Sequence, residues 1–197
     1  MYVFKKKKSI YLVRIFDLIG SAIFFPFGLR RLKLPEKVKN ILVIRLDGIG
    51  DVILSTPVYE ALKKRYPSAK LTILVSSDTK GVVEMNPYVD NVFVLRNTWF
   101  TTDNKIKFSE ILSMLRKIRK ENFDIGIDLR GDIRNILLMS FGKAVFRIGY
   151  GITGGGFLLN MMPSYEKDMH EVDKNLKLIE GLDCKVTNRK LQINYSQ

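Results

Sequence analysis

Cysteine and histidine are almost missing from this chain: among 197 residues there is one of each, Cys184 and His170. One cysteine excludes an intrachain disulfide and a cysteine-cluster metal site, and one histidine leaves little room for a histidine-based site. Neither scarcity fixes a compartment, although nothing in the chain requires an oxidising one. There is no internal repeat of fixed period, and no low-complexity tract beyond the lysines at 5–8. The glycine-rich stretch GYGITGGGF at 149–157 lacks the Lys-Ser/Thr of a Walker A loop. Acidic residues are outnumbered, 20 against 33 lysines and arginines, for a formal charge of +13. That balance calls for an anionic partner: nucleic acid, an anionic membrane surface, or a phosphorylated or acidic glycolipid. Nucleic acid is disfavoured, because the aromatics sit in apolar runs instead of alternating with Lys and Arg, and no helix-turn-helix or RNP pattern appears.

With 46% hydrophobic and 11% aromatic residues the chain can bury one full core, with room for an appendage. Its organising stretch is 40–57, NILVIRLDGIGDVILSTP. The β-branched run 41–44 predicts a strand buried on both faces. Asp47, Gly48, Ile49, Gly50 and Asp51 then form a tight turn, and Val52, Leu54, Val58, Ala61 and Leu62 follow at helical spacing until Tyr66-Pro67. Glycines there let backbone N–H groups approach a ligand. The spacing is not G-x-G-x-x-G, and a carboxylate at Asp51 suits a hydroxyl better than a phosphate. Asp51 equally fits a plain helix-start role, since the dipole favours acidic side chains there.

Further strands are predicted at 70–75, 89–95, 123–129 and 144–148, alternating with helices at 78–85, 106–120 and 133–141. In 106–120, Ile111, Leu112, Leu115 and Ile118 share one face. Such alternation argues for an α/β fold: an open, mainly parallel sheet with helices on both faces. Ligands of these sheets bind at the carboxyl ends of the strands. The rule gathers three polar clusters on one rim: Asp47 to Asp51, Asp128 to Arg134, and Gly149 to Gly156. Arg130 and Arg134 offer guanidinium forks for a phosphate or carboxylate, with a solvated helix start the stronger reading for Arg130 than for Arg134. The glycine segment is expected as a flexible connection or a flap, and His170 as a first-turn residue of a helix rather than a catalytic group.

Residues 1–35 stand apart from the domain at 36–197. Lysines at 5–8, a mostly apolar stretch at 10–29, and Arg30, Arg31 and Lys33 predict a basic amphipathic helix lying in a membrane interface. Arg14, Asp17 and Ser21 at i, i+3 and i+7 give it one narrow polar stripe beside a broad apolar face. Two charges and Pro26 argue against a membrane span, and no small-residue cleavage pattern marks a signal peptide. A helix packed on the protein's own core is the alternative.

ILVIRLDGIGDVILSTPVYEALKKRYPSAKLTILV, with FDIGIDLRGDIRN, FRIGYG and HEVDKNLKLIEGLD further on, resembles the family 9 glycosyltransferases, which include the ADP-heptose:lipopolysaccharide heptosyltransferases. The likeness runs over about residues 40–182, and its first block is the most specific. It implies a Rossmann-like domain, the N-terminal half of a GT-B fold. It implies Asp51 as general base in an inverting transfer, and Asp47, Gly48, Gly50, Asp128 and Arg134 as acceptor-binding residues. It further implies a nucleotide-sugar donor such as ADP-heptose, an anionic glycolipid or polysaccharide acceptor, no metal or other cofactor, and a place on the inner face of the cytoplasmic membrane. This chain has Asp47-Gly48 and Arg134 where many heptosyltransferases carry small hydroxyl residues and a lysine. Family members have a second domain for the donor, and this chain ends at Gln197, about where the connection to it would begin. The expectation is therefore the N-terminal half of such an enzyme, inactive alone, whether fragment, truncated frame or split protein. The rival is a membrane-attached Rossmann-like binding protein or remnant without chemistry.

Overall fold

A computed structural model of the protein describes residues 7–24, 33–96, 108–185 and 188–192. The chain forms α1 (Lys7–Phe24), β1 (Asn40–Ile44), α2 (Ile49–Leu54), α3 (Thr56–Arg65), β2 (Lys70–Ser76), α4 (Lys80–Glu84), β3 (Asn91–Leu95), α5 (Phe108–Glu121), β4 (Ile125–Asp128), α6 (Ile133–Phe141), β5 (Phe146–Gly149) and α7 (Glu171–Glu180). The five strands make one parallel sheet in the order β3-β2-β1-β4-β5, as the alternation predicts. Because successive side chains on a strand alternate faces, Ile41 and Val43 of β1 join one core layer and Leu42 and Ile44 the other. The first layer packs on α3 and α7, through Val58, Leu62, Leu176 and Ile179; the second packs on α5 and α6, through Met114, Ile118, Ile136 and Met139. From β1 the chain runs outward first through β2 and β3, then returns to β4 on the other side. The strand order therefore reverses between β1 and β4, and a crevice opens beyond their carboxyl ends.

The helix expected from Val52 to Arg65 is two helices. Pro57 has no N–H to give to the Ile53 carbonyl, so the ladder is interrupted at Ser55. Two hydroxyls repair the break: Thr56 Oγ1 donates to the Ile53 carbonyl at 2.8 Å, and Ser55 Oγ to the Val52 carbonyl at 2.7 Å. The segment 78–85 likewise divides, into a 3-10 turn at Ser77–Thr79 and α4. In α5 the buried stripe uses Met114 and Ile118, while Leu112 is 37% exposed.

α1 lies against the 3-10 turn Gly156–Leu158, and the polar stripe expected along it is divided. Asp17 faces inward and accepts a hydrogen bond from the Gly155 N–H at 2.8 Å, while Arg14 and Ser21 face outward. Tyr11, Ile15, Leu18, Ile19 and Ile23 are all more than half exposed. Among the described residues no helix is long and apolar enough to cross a membrane. The lysine side chains at 5–8, and Pro26, Arg30 and Arg31, lie outside the described residues.

Thr56 is fully buried and its hydroxyl also accepts from the Gln192 N–H at 3.0 Å, which ties residues 188–192 to α3. Thr56→Val is expected to cost about 1–3 kcal/mol in urea unfolding, because it leaves the Ile53 carbonyl and the Gln192 N–H unmatched. Thr56→Ser should retain most of that stability. A Val variant as stable as the wild type would show that the two helices are joined by other means.

Candidate active site at the carboxyl ends of β1 and β4

Arg45 directly follows β1, where the strand's apolar pattern would continue, and it is 2% exposed. Its guanidinium is the hub of the crevice. Nη1 donates to the Leu129 carbonyl at 2.9 Å, just past β4. Nη2 donates to Glu171 at 3.0 Å, in the first turn of α7, and lies 3.3 Å from Asp51. Nε lies 3.0 Å from Asp47. A buried arginine is tolerated only where anions and hydrogen-bond acceptors replace its water, and here the turns after β1 and β4 and the helices α2 and α7 supply them. Asn175, fully buried on α7, holds the same corner, with Oδ1 3.4 Å from Arg45 and Nδ2 donating to the Leu54 carbonyl at 3.2 Å.

Above this hub is a cavity of about 330 Å³. Its lining includes Arg45, Asp47 and Asp51 from the β1 side and Leu129 and Arg130 from the β4 side. Tyr150, Ile152 and Thr153 come from the glycine segment, and Tyr165, Glu171 and Lys174 from around α7. The Asp51 side chain is 47% exposed, so one oxygen can be steadied by Arg45 while the carboxylate still meets a ligand; that of Asp47 is 2% exposed. Gly48, between them, has an ordinary extended backbone (φ −67°, ψ 166°), and nothing lies within 4 Å of where a Cβ on Gly50 would project. Their contribution is open space beside Asp51, not an unusual conformation.

The other predicted site residues have different surroundings. Asp128 is fully buried and accepts from the N–H groups of Arg130 and Asp132 and from Asn135 Nδ2 at 3.2, 2.7 and 2.9 Å, shaping the loop behind the cavity wall. Burial pushes its carboxyl up to about 7, against those hydrogen bonds. Arg134 forms a fork on Asp132, the N-cap of α6, at 2.8 and 2.6 Å, and does not line the cavity. Arg130, the less favoured of the two arginines on sequence grounds, is the one at the cavity, paired with Asp47. The relation inverts because Arg134 sits where a helix cap can take its guanidinium, whereas Arg130 precedes the left-handed Gly131 (φ +78°) that turns the chain. His170 caps α7, its Nδ1 accepting from the Val172 N–H at 3.3 Å.

Arg45, Glu171, Lys174 and the tyrosines 150 and 165 were not found from sequence. The available signal was a charge, Arg45, placed straight after an apolar strand and two positions before an aspartate. Chemically, the cavity sets three carboxylates, of which Asp51 is the half-exposed one, among three cationic side chains and aromatic edges, a surface suited to a hydroxylated ligand. Among the described residues no group of three or more His, Cys, Asp or Glu is placed to hold a metal ion.

No family model matches the chain. Lipopolysaccharide heptosyltransferase 3 of Escherichia coli (strain K12) is 31% identical over 139 residues, 68% of this chain and 39% of that protein. The chain resembles the family 9 glycosyltransferases in sequence and in fold. The crystal structure of the glycosyl transferase family 9 from Veillonella parvula DSM 2008 superposes with a TM-score of 0.71 at 24% identity, over 84% of this chain and 47% of that one. E. coli ADP-heptose lps heptosyltransferase II superposes with a TM-score of 0.63 at 20% identity, over 80% and 47%. These two likenesses establish the fold, Rossmann-like as in GT-B glycosyltransferases. The family 9-like chain spans less than half the length of each of these relatives.

Arg45→Met removes the shared cation and leaves buried acceptors unmatched. Its expected cost is about 3 kcal/mol in urea unfolding, with Arg45→Lys intermediate because it restores charge without the planar fork. A loss below about 1 kcal/mol would mean that the carboxylates hold together without it.

Proposed function

We propose that this chain is the acceptor-binding half of an inverting glycosyltransferase that moves heptose or a similar sugar from a nucleotide-sugar donor to a lipopolysaccharide-type or other anionic cell-surface glycan. The observation that carries the reading is the Asp51 carboxylate, 47% exposed at the edge of a cavity at the sheet's switch point and steadied by buried Arg45. Relatives named as heptosyltransferases, one of them for ADP-heptose, support the substrate class.

In the proposed reaction the acceptor sugar enters the cavity with one hydroxyl against Asp51. As that oxygen attacks the anomeric carbon, Asp51 takes its proton; the bond from that carbon to the nucleotide diphosphate breaks, and the diphosphate leaves from the opposite face with the bonding electrons. One displacement inverts the configuration. Arg45 holds the carboxylate where its free oxygen faces the hydroxyl, and Arg130 and Lys174 complement acidic groups on the acceptor. Asp47, Gly48 and Gly50 shape the recess. Asp128 and Arg134 act from behind it, fixing the β4–α6 turn from which Arg130 projects. The donor diphosphate is met by a second domain outside the described residues. α1, with its outward apolar face and neighbouring basic residues in sequence, rests the enzyme on the anionic inner face of the cytoplasmic membrane.

One alternative has a specific observation behind it: Asp51 lies in the first turn of α2 and is ion-paired, which suits a purely structural aspartate in a binding protein. Asp51→Asn separates the two. In the polypeptide carrying both acceptor and donor domains, general-base loss should lower kcat about a thousandfold, within the range typical of such groups, while calorimetric acceptor binding stays within about twofold. Transfer near the wild-type rate with binding intact would contradict the base assignment.

A further inference from the structure

The glycine segment expected as a flexible connection is held from both sides. Gly151, Gly154 and Gly155 adopt φ of +59°, +106° and +78°, a left-handed backbone that only glycine takes readily. On the inner side, Thr153 donates to the Gly131 carbonyl through N–H (3.2 Å) and Oγ1 (3.1 Å), and its Oγ1 accepts from the Ile133 N–H at 2.8 Å. Thr153 and its neighbours Tyr150 and Ile152 line the cavity. On the outer side stands α1. Asp17 accepts from the Gly155 N–H, a Cβ on Gly154 would come within 2.7 Å of Val13 Cγ1, and the Phe16 and Phe157 rings are 5.5 Å apart. Gly20 is buried against the Phe157 ring, so closely that a Cβ there would fall 2.3 Å from it. Val13, Asp17 and Gly20 follow a helical face, and the opposite face carries the exposed Ile15, Leu18 and Ile19.

We propose that α1 is a clamp on the cavity's glycine wall, so that seating α1 on an anionic bilayer orders the wall against which the acceptor binds. The bilayer half of this inference rests on the membrane attachment proposed above; the clamp does not. An apolar, basic-flanked face lowered into the headgroup region leaves the Asp17 face directed at the protein, and the bonds from Asp17 to Gly155 and from Thr153 to Gly131 carry the restraint to the cavity. For a lipid-linked acceptor this puts the recess at a set height above the surface in which the acceptor is anchored.

Hydrogen exchange of residues 149–158 in the full chain tests it, with and without vesicles of phosphatidylglycerol and phosphatidylcholine. Asp17→Ala should speed exchange there about tenfold, as loss of one anchoring hydrogen bond to a carboxylate implies. Asp17→Asn, whose amide oxygen can still accept from Gly155, should stay near wild type. Gly20→Leu, which displaces Phe157, should repeat the effect of Asp17→Ala by a different route. Vesicles should slow exchange of the segment in the wild type but not in Asp17→Ala, although both sediment with them. Unchanged exchange in Asp17→Ala and in Gly20→Leu would overturn the clamp, and an equal vesicle effect in wild type and Asp17→Ala would overturn the coupling. The double substitution Leu18→Glu, Ile19→Glu should abolish vesicle binding and leave exchange untouched. If it still sediments, the membrane reading of α1 fails and the clamp stands on the other variants.

Discussion

A single buried guanidinium organises the functional end of this protein. Arg45 is enclosed where β1 meets β4, and a charge so placed is stable only if acceptors surround it. Satisfying it draws together Asp47 and Asp51 from the β1 turn, the Leu129 carbonyl from the β4 end and Glu171 from α7. The sheet alone places the strand ends side by side; Arg45 makes their loops a defined cavity. The same ion pairs explain why Asp51, in a glycine-flanked turn with open space about it, has a fixed position while remaining half-exposed.

Legibility in the sequence followed the range of the physics. Local signals carried the sheet: β-branched runs marked β1 and β2, and strand-helix alternation gave the parallel order. The break at Ser55 was legible in principle, since Pro57 cannot donate to Ile53. What escaped was determined at long range. Arg45 and Glu171 are 126 positions apart, and neither the burial of the first nor the direction of the second is written in its neighbours. Arg130 and Arg134 look alike in DLRGDIR, and only the Asp132 cap on one side and Asp47 on the other separate them. In α1 the stripe of Arg14, Asp17 and Ser21 suggested one wet face, yet Asp17 turns inward because a left-handed glycine loop offers it an N–H.

These features fit one physical scheme. A charge of +13 favours an anionic surface, and α1 leaves Ile15, Leu18, Ile19 and Ile23 on the side away from the core. A glycine segment that α1 and the β4–α6 turn help hold in shape forms part of the recess. In the proposed scheme, α1, the recess and the Asp51 carboxylate are linked through a few hydrogen bonds and ion pairs.

The central claim is that the recess over Arg45 takes an anionic sugar acceptor. Its most direct test is a backbone NMR titration of the chain with a lipopolysaccharide core oligosaccharide. The account predicts saturable shifts at the amides of Gly48, Gly50, Asp51, Arg130 and Thr153. No shifts there, or shifts confined to the separate cavity of about 260 Å³ lined by Leu95, Glu110 and Lys117, would contradict it.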